Sequence, residues 1–460
     1  MDNNDERLQG DGGRFSGTTW QDLLDLETVE VPDYLRIKSN PYLGDEDLSV
    51  ERYIGKEFFE AERDKMWNRV WQMACREEDI PEAGDHHLYQ IIDRSVIVTR
   101  TESGEIKGYI NTCLHRGRCL RDESGSVSEF RCPFHGATWN LDGEFVGIPN
   151  AWDFKHIEDR DMSLPQVKVD TWGGFVFINF DQDCIPLKDY MECMPEHFER
   201  YPLEKYFKGV HVKRVMACNW KVGAEAFMES WHTLETHKQI LTFTGDENSQ
   251  YDTFGDNISR SVTPMGVNSP HLDGISQEEI TRDILKLSGR MATDSDEGVD
   301  MPEGMSARKY VAEMNREIFQ EAAGEDLSDA TMAELQDAIL YSCFPNFQVW
   351  VGYSGNIVYR FLPNGNDVDS CIMEVMILLR YPEGTERPPA AACHEIPADQ
   401  PFASYEMLGA LGGVFDQDDA NCPAVQRGMK ASATGKVTLA SYQESRIRHL
   451  HQTLDKYLND

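Results

Sequence analysis

Two short loops constrain this chain more than anything else in it. They are Cys113-Leu114-His115-Arg116-Gly117 and, further along, Cys132-Pro133-Phe134-His135-Gly136. Each is hairpin-sized, flanked by turn-forming Gly or Pro, and offers one thiol and one imidazole. Two thiolates and two neutral imidazoles satisfy either of two metal centres. A structural zinc takes all four donors on one tetrahedral ion. A [2Fe–2S] cluster of mixed ligation takes both Cys on one iron and both His on the other.

The order of the donors favours the cluster. Zinc fingers more often pair Cys in one element and His in the next, whereas here each loop supplies one donor of each kind. With Arg116-Gly117 and Pro133 in place, the pattern matches the signature of a Rieske centre. Replacing two thiolates by imidazoles raises the potential above that of plant-type ferredoxins. Such a centre accepts an electron from a ferredoxin or flavin reductase and passes it on.

A second constellation runs from Asn219 to His237. Read as one helix over 220–237, it puts Glu225, Glu229 and His232 on one face at i, i+4 and i+7. His237 then lies about 140° round the helix from His232. Both imidazoles reach one ion only if the helix ends or distorts between them, and β-branched Thr233 and Thr236 make room for that. Surface histidines on an amphipathic helix are the bland alternative. Four potential ligands concentrated between Glu225 and His237, with Phe227, Met228 and Trp231 suggesting burial, argue against it. Two His and one carboxylate form the open facial triad of non-haem Fe(II) oxygenases, which leaves one side of the iron for O₂ and substrate. The acidic run Phe415-Asp416-Gln417-Asp418-Asp419, followed by Val425-Gln426-Arg427-Gly428, is the downstream source of the carboxylate. It reads equally as a solvated helix start.

The rest of the chain supplies context. Residues 1–49 form an acidic arm with a short helix near Trp20–Leu26. A leading helix over 50–75 precedes a β-rich unit ending near 180, with strands at 90–100, 106–111 and 174–179. Beyond it the pattern is mixed: a variable loop region over 245–315, helices at 307–323 and 329–338, an antiparallel sheet from strands at 346–353, 356–362 and 370–379, and a closing helix over 436–458. His86 and His87 read as surface residues in a turn. The expected class is α+β, a small β-rich domain (50–180) ahead of an α+β catalytic domain (181–460) whose antiparallel sheet is flanked by helices. Against 44 Lys+Arg stand 80 Asp+Glu, a net charge of −36, so neither nucleic acid nor an anionic membrane surface is an expected partner. No run approaches the roughly 18 apolar residues of a membrane span. An acidic start without a secretory pattern and 11 scattered Cys point to a reducing cytoplasm.

Taken together, the Cys113/His115/Cys132/His135 pattern, the Asn219–His237 segment and the Phe415–Gly428 segment resemble, in the same order, the large (α) subunit of Rieske non-haem iron aromatic-ring-hydroxylating dioxygenases of the naphthalene/biphenyl type. The resemblance covers roughly residues 45–240 and 335–430. It implies a [2Fe–2S] Rieske cluster on Cys113, His115, Cys132 and His135, and a mononuclear Fe(II) on His232, His237 and Asp419. Asp419 is preferred to Asp418 because the family's ligand lies four residues after the aromatic that Phe415 matches. Glu229 matches the acid, often Asp, that bridges the cluster of one subunit to the iron of its neighbour. Ala226 replaces a common Asn, so the support around the iron differs. The resemblance further implies an aromatic substrate and O₂, a ferredoxin or flavin reductase as donor, and a head-to-tail homotrimer of α subunits that a small β subunit completes in α3β3 relatives. Two readings stand beside it. One is a Rieske monooxygenase or O-/N-demethylase with the same metals; the other is an electron carrier or zinc-stabilised binding module, which leaves the second constellation unexplained.

Overall fold

The computed structural model describes residues 17–292, 295 and 298–459. The start of the expected arm and Thr293, Asp294, Asp296 and Glu297 of the expected loop lie outside them.

The β-rich unit is a sheet of β1 (Gln72–Arg76), β2 (Asp85–Ile91), β3 (Arg94–Arg100), β4 (Ile106–Ile110), β5 (Gln166–Trp172) and β6 (Phe175–Asn179), in the spatial order β1-β6-β5-β4-β3-β2 with a two-residue edge strand at Gly125–Ser126. The stretch 90–100 is not one strand, because a turn at Ile92-Asp93 separates β2 from β3. Ile92 takes φ +54°, a conformation β-branched residues rarely adopt, so only the single turn-former Asp93 marked it. His86 and His87 pair with Thr99 and Val98 in the β2–β3 ladder. His86 is buried and burial pushes the His87 imidazole down to about 4, which corrects the expectation of a surface turn. A three-stranded sheet of Phe130–Arg131, Thr138–Trp139 and Phe145–Gly147 carries the second Cys/His loop. Ile97, Tyr109, Phe130 and Trp139 form its core together with Cys113 and Cys132.

The larger unit is built on an eight-stranded sheet. It runs β8 (Gln250–Phe254), β9 (Ile258–Thr263), β10 (Ala338–Cys343), β11 (Phe347–Val351), β12 (Asn356–Asn364), β13 (Asp367–Leu379) and β7 (Phe207–Met216), closed by a parallel edge strand at His394–Ile396. Strands β8 and β9, and a helix at Gln277–Leu287, fall where a loop region was expected. Their polar composition misled: Arg260 and Asp252 pair 2.7 Å apart with no exposed surface, so charge is buried by pairing rather than solvated.

Helices flank this sheet. α1 (Trp220–Glu225) packs on β12 and β13. α2 (Thr233–Thr236) is a single turn, α3 is Ala307–Ala323, α4 is Ala410–Lys430 and α5 is Ser445–Asn459. The leading helix is broken into Glu51–Ile54, Lys56–Ala61 and a wide turn at Glu62–Met66. That turn holds Glu62 against Lys221 of α1, 2.5 Å apart and both fully buried. Among the described residues no helix is long and apolar enough to cross a membrane.

Candidate metal centres

The segment 220–237 is not one helix. Asn219 caps α1, its side chain accepting the N–H of Lys221 at 3.1 Å, and α1 stops at Glu225. The chain then turns until the Glu229 carboxylate accepts the backbone N–H of His232 at 2.9 Å. His232 precedes α2 and His237 follows it. One helical turn with an irregular approach thus removes the angular offset that a continuous helix would impose, and the two imidazoles stand with ring centres 5.1 Å apart.

The carboxylate that joins them is Asp418, not Asp419. On α4 the buried stripe is Phe415, Asp418 and Cys422, which aims Asp418 inward. Its Oδ1 lies 3.1 Å from Nε2 of His237 and 3.6 Å from Nε2 of His232. Asp419 is one residue further round and is taken by Arg214 of β7 at 2.5 Å. Counting from an aromatic cannot separate two adjacent acids; the position of Arg214 does.

The outward faces of both rings are also fixed. Nδ1–H of His232 donates to Glu229 Oε1 at 2.8 Å, and Nδ1–H of His237 donates to Gln417 Oε1 at 2.8 Å. Both Nε2 lone pairs therefore point at Asp418. Three acceptors converge on one spot, their ligating atoms within 4.8 Å of one another, with no described residue supplying a proton between them. A divalent cation fits that arrangement, and the tautomers are those a metal requires. Without one, burial works against charge on His232, yet Glu229 and Asp418 outweigh it and raise its pKa. Gln417 was missed in the sequence, where an amide between two acids carries no signal.

Cavities lie on both sides of this trio. One, about 230 Å³, is walled by Phe227, Phe243, Leu340, Tyr359 and Phe415. The other, about 420 Å³, is acidic, with Glu225, Glu229, Glu235, Glu444 and Asp418 on its wall. Burial pushes Glu225 up to about 8 and Glu444 up to about 7. Glu225 also faces Tyr53 Oη at 3.0 Å and His451 Nε2 at 2.9 Å. Trp231, expected to be buried, is 46 % exposed.

The loops of the β-rich unit present a different donor set. Cys113 and Cys132 are buried side by side, and burial raises the Cys113 thiol. The His115 and His135 rings stand 4.8 Å apart, and Nδ1 of His115 is buried with no partner among the described residues. Those residues hold two donor trios within the 4.8 Å that a single ion spans, and neither includes these four. A thiol pair and an imidazole pair that do not close on one point fit a two-iron cluster better than one zinc. The second trio, His211, Glu374 and Cys393, is occupied otherwise: despite burial, Arg360 and His211 hold Glu374 well below the usual carboxylate range.

Comparison with known proteins matches two family models to the stretches that contain these residues. The family "Rieske [2Fe-2S] domain" matches residues 70–158, and "Ring hydroxylating alpha subunit (catalytic domain)" matches residues 196–460. The chain is 30% identical over 200 residues to the biphenyl 2,3-dioxygenase subunit alpha of Rhodococcus jostii (strain RHA1), covering 42% of this chain and 43% of that one. It is 29% identical over 223 residues to the glycine betaine monooxygenase oxygenase subunit of Pseudomonas aeruginosa (strain UCBPP-PA14), covering 48% and 50%. The matched stretch thus spans half or less of these relatives. Two solved folds cover nearly the whole chain. A naphthalene 1,2-dioxygenase from Rhodococcus sp. bound to indole has a TM-score of 0.61 at 20% identity, over 90% of this chain and 94% of that one. A quaternary ammonium Rieske monooxygenase with L-carnitine has a TM-score of 0.62 at 16% identity, over 92% and 99%.

Proposed function

This chain belongs to the ring-hydroxylating alpha subunits and is the large subunit of a Rieske oxygenase, and from that premise we propose that it cis-dihydroxylates a neutral aromatic substrate. In this reading Cys113, Cys132, His115 and His135 hold the [2Fe–2S] cluster, and His232, His237 and Asp418 hold the iron. When bound, the cluster supplies single electrons and the iron a site where O₂ is reduced beside the substrate. One turnover consumes the ring, O₂, two electrons and two protons, and yields one dihydrodiol.

The observation that carries the substrate class is the apolar cavity beside the trio. Among the described residues no Lys or Arg lines it, so a carboxylate would enter without a counter-ion, at a large desolvation cost. A quaternary ammonium needs an open aromatic cage. Here the rings of Phe227, Tyr359 and Phe415 pack on each other at 4.7–6.3 Å between centres, inclined by 47–88°, so their faces and edges meet one another rather than framing a cage. The resulting apolar wall suits a hydrocarbon ring and excludes water from the reacting face. Glu229 fixes His232 and opens onto the acidic cavity, the place where a neighbouring subunit's cluster is read to dock in a head-to-tail trimer. The electron donor is read as a ferredoxin or flavin reductase. Repelled by most of this acidic surface, it would meet Arg116, Arg118, Arg121 and Arg131 beside the cluster loops. A β subunit and a cytoplasmic setting belong to the same reading.

Turnover of an aromatic panel under ¹⁸O₂, with mass analysis, tests it. Two labelled oxygens in one product are expected. A single labelled oxygen in a phenol, or label carried only by formaldehyde released in a demethylation, would overturn dioxygenation in favour of a monooxygenase.

A further inference from the structure

Two polar atoms on residues of the apolar cavity's wall, Trp350 Nε1 and Gln336 Oε1, have no partner among the described residues, and of these only the Gln336 oxygen is an acceptor. Ser261 Oγ accepts from Arg446 at 2.7 Å, and Thr263 Oγ1 accepts from Ser249 at 2.9 Å. Gln336, also on the wall, is only 9% exposed, and its Oε1 has no partner among the described residues. Its orientation is set, because Nε2 donates to the carbonyl of Arg308 at 2.8 Å. Arg308 is in turn clamped by Asp337 at 2.5 and 2.8 Å. The amide therefore cannot flip, and Oε1 is an acceptor only. Gly266 packs close to it, and a Cβ there would stand 3.1 Å from that oxygen and 2.8 Å from Arg308 Cα. Leaving a buried acceptor unmet is costly, and an apolar ring alone does not meet it.

We infer that Gln336 determines specificity by accepting a hydrogen bond from a neutral hydroxyl or N–H group carried on the aromatic substrate. The inference rests on the aromatic reading of the same cavity and narrows it. A carboxylate or ether substituent brings another acceptor to Oε1 and is rejected. A hydroxyl or N–H donor saturates it, and a site built to hydrogen-bond a substrate group discriminates strongly against analogues that lack it. Gln336 also borders a second, smaller cavity that shares Met265 with the first. The polar end of the substrate thus lies on the side away from His232 and Asp418, which keeps the unsubstituted ring edge toward the reacting face.

The test is equilibrium binding, without turnover, of naphthalene, 2-naphthol and 2-methoxynaphthalene to the metal-loaded, reduced holoenzyme under anaerobic conditions. Tryptophan fluorescence and the EPR signal of the iron, with nitric oxide as reporter, give the readout. Wild type is expected to hold 2-naphthol about tenfold more tightly than 2-methoxynaphthalene. Gln336→Leu and Gln336→Met are expected to bring that ratio to about one while naphthalene binding is kept. Equal binding of the two derivatives by wild type would overturn the role of Gln336 and leave the aromatic reading standing, and it needs no variant to fold. A ratio that persists in both variants would overturn it as well. Failure of all three compounds to bind wild type would overturn the aromatic reading and this inference together.

Discussion

The two metal centres use similar donors and are built in opposite ways. In the cluster loops, each thiol lies two or three residues from its imidazole, and short hairpins bring the two loops together. In the proposed iron site, His232 and His237 sit on one short stretch, but the carboxylate arrives from α4, 181 residues beyond His237. The first site is written into local sequence. The second exists only once β7, α1 and α4 have packed, and Arg214 decides which of two adjacent acids turns inward. A locally encoded site fails through its own residues, whereas an assembled one also fails through residues that never touch the metal.

The sharpest way to break that comparison is to exchange the two acids. Asp418→Ala should lose bound iron and lower turnover by more than about 100-fold, beyond the loss typical of an outer partner, while the cluster stays. Asp419→Ala should keep its iron and lose roughly 1–3 kcal/mol of stability, the cost of stranding part-buried Arg214. Metal analysis and thermal melts read both, and the reverse pattern would restore Asp419 as the ligand. Next in size, Glu229→Ala should nearly abolish product formation even with iron in sufficient excess to keep the site filled, because Glu229 faces the acidic cavity as well as His232. The lost acceptor should by itself weaken iron binding about 10–100-fold. Normal coupling of O₂ uptake to product in that variant would refute the bridging role.

A smaller effect separates assembly from ligation. Gln417→Leu removes the acceptor behind His237 and should weaken iron binding about 10–100-fold, with no change in the cluster's absorbance; unchanged iron affinity would show that ring orientation is set elsewhere. The smallest effect is on pH dependence. Glu225 is pushed up to about 8 from an ordinary 4.5, so between those values the folded chain binds more protons than the unfolded one. Stability therefore falls as pH rises through that window. Glu225→Gln removes this loss, and its advantage over wild type should grow by at most about 1.4 kcal/mol per pH unit from pH 5 to 8. Urea midpoints at three pH values decide it; a gap that narrows toward pH 8 contradicts the burial of a neutral Glu225.

Sequence alone determined the α+β class and the two-centre logic, and it is enough to propose the cluster loops. All four loop donors lie between Cys113 and His135, and Gly and Pro mark the turns between them. It also singled out His232 and His237, because spacing within a short segment survives errors in secondary structure. It misread polar strands β8 and β9 as loop and His86 as surface, since paired buried charge has the composition of solvated charge. Tertiary structure alone decided that helix α1 stops before the histidines, that Asp418 rather than Asp419 completes the trio, and that Gln417 and Gln336 matter. The last three each depend on a partner far away in the chain: Arg214 for Asp419, His237 for Gln417 and Arg308 for Gln336. A hydrogen bond between residues so far apart leaves no periodicity in either segment, so only the folded chain could reveal it.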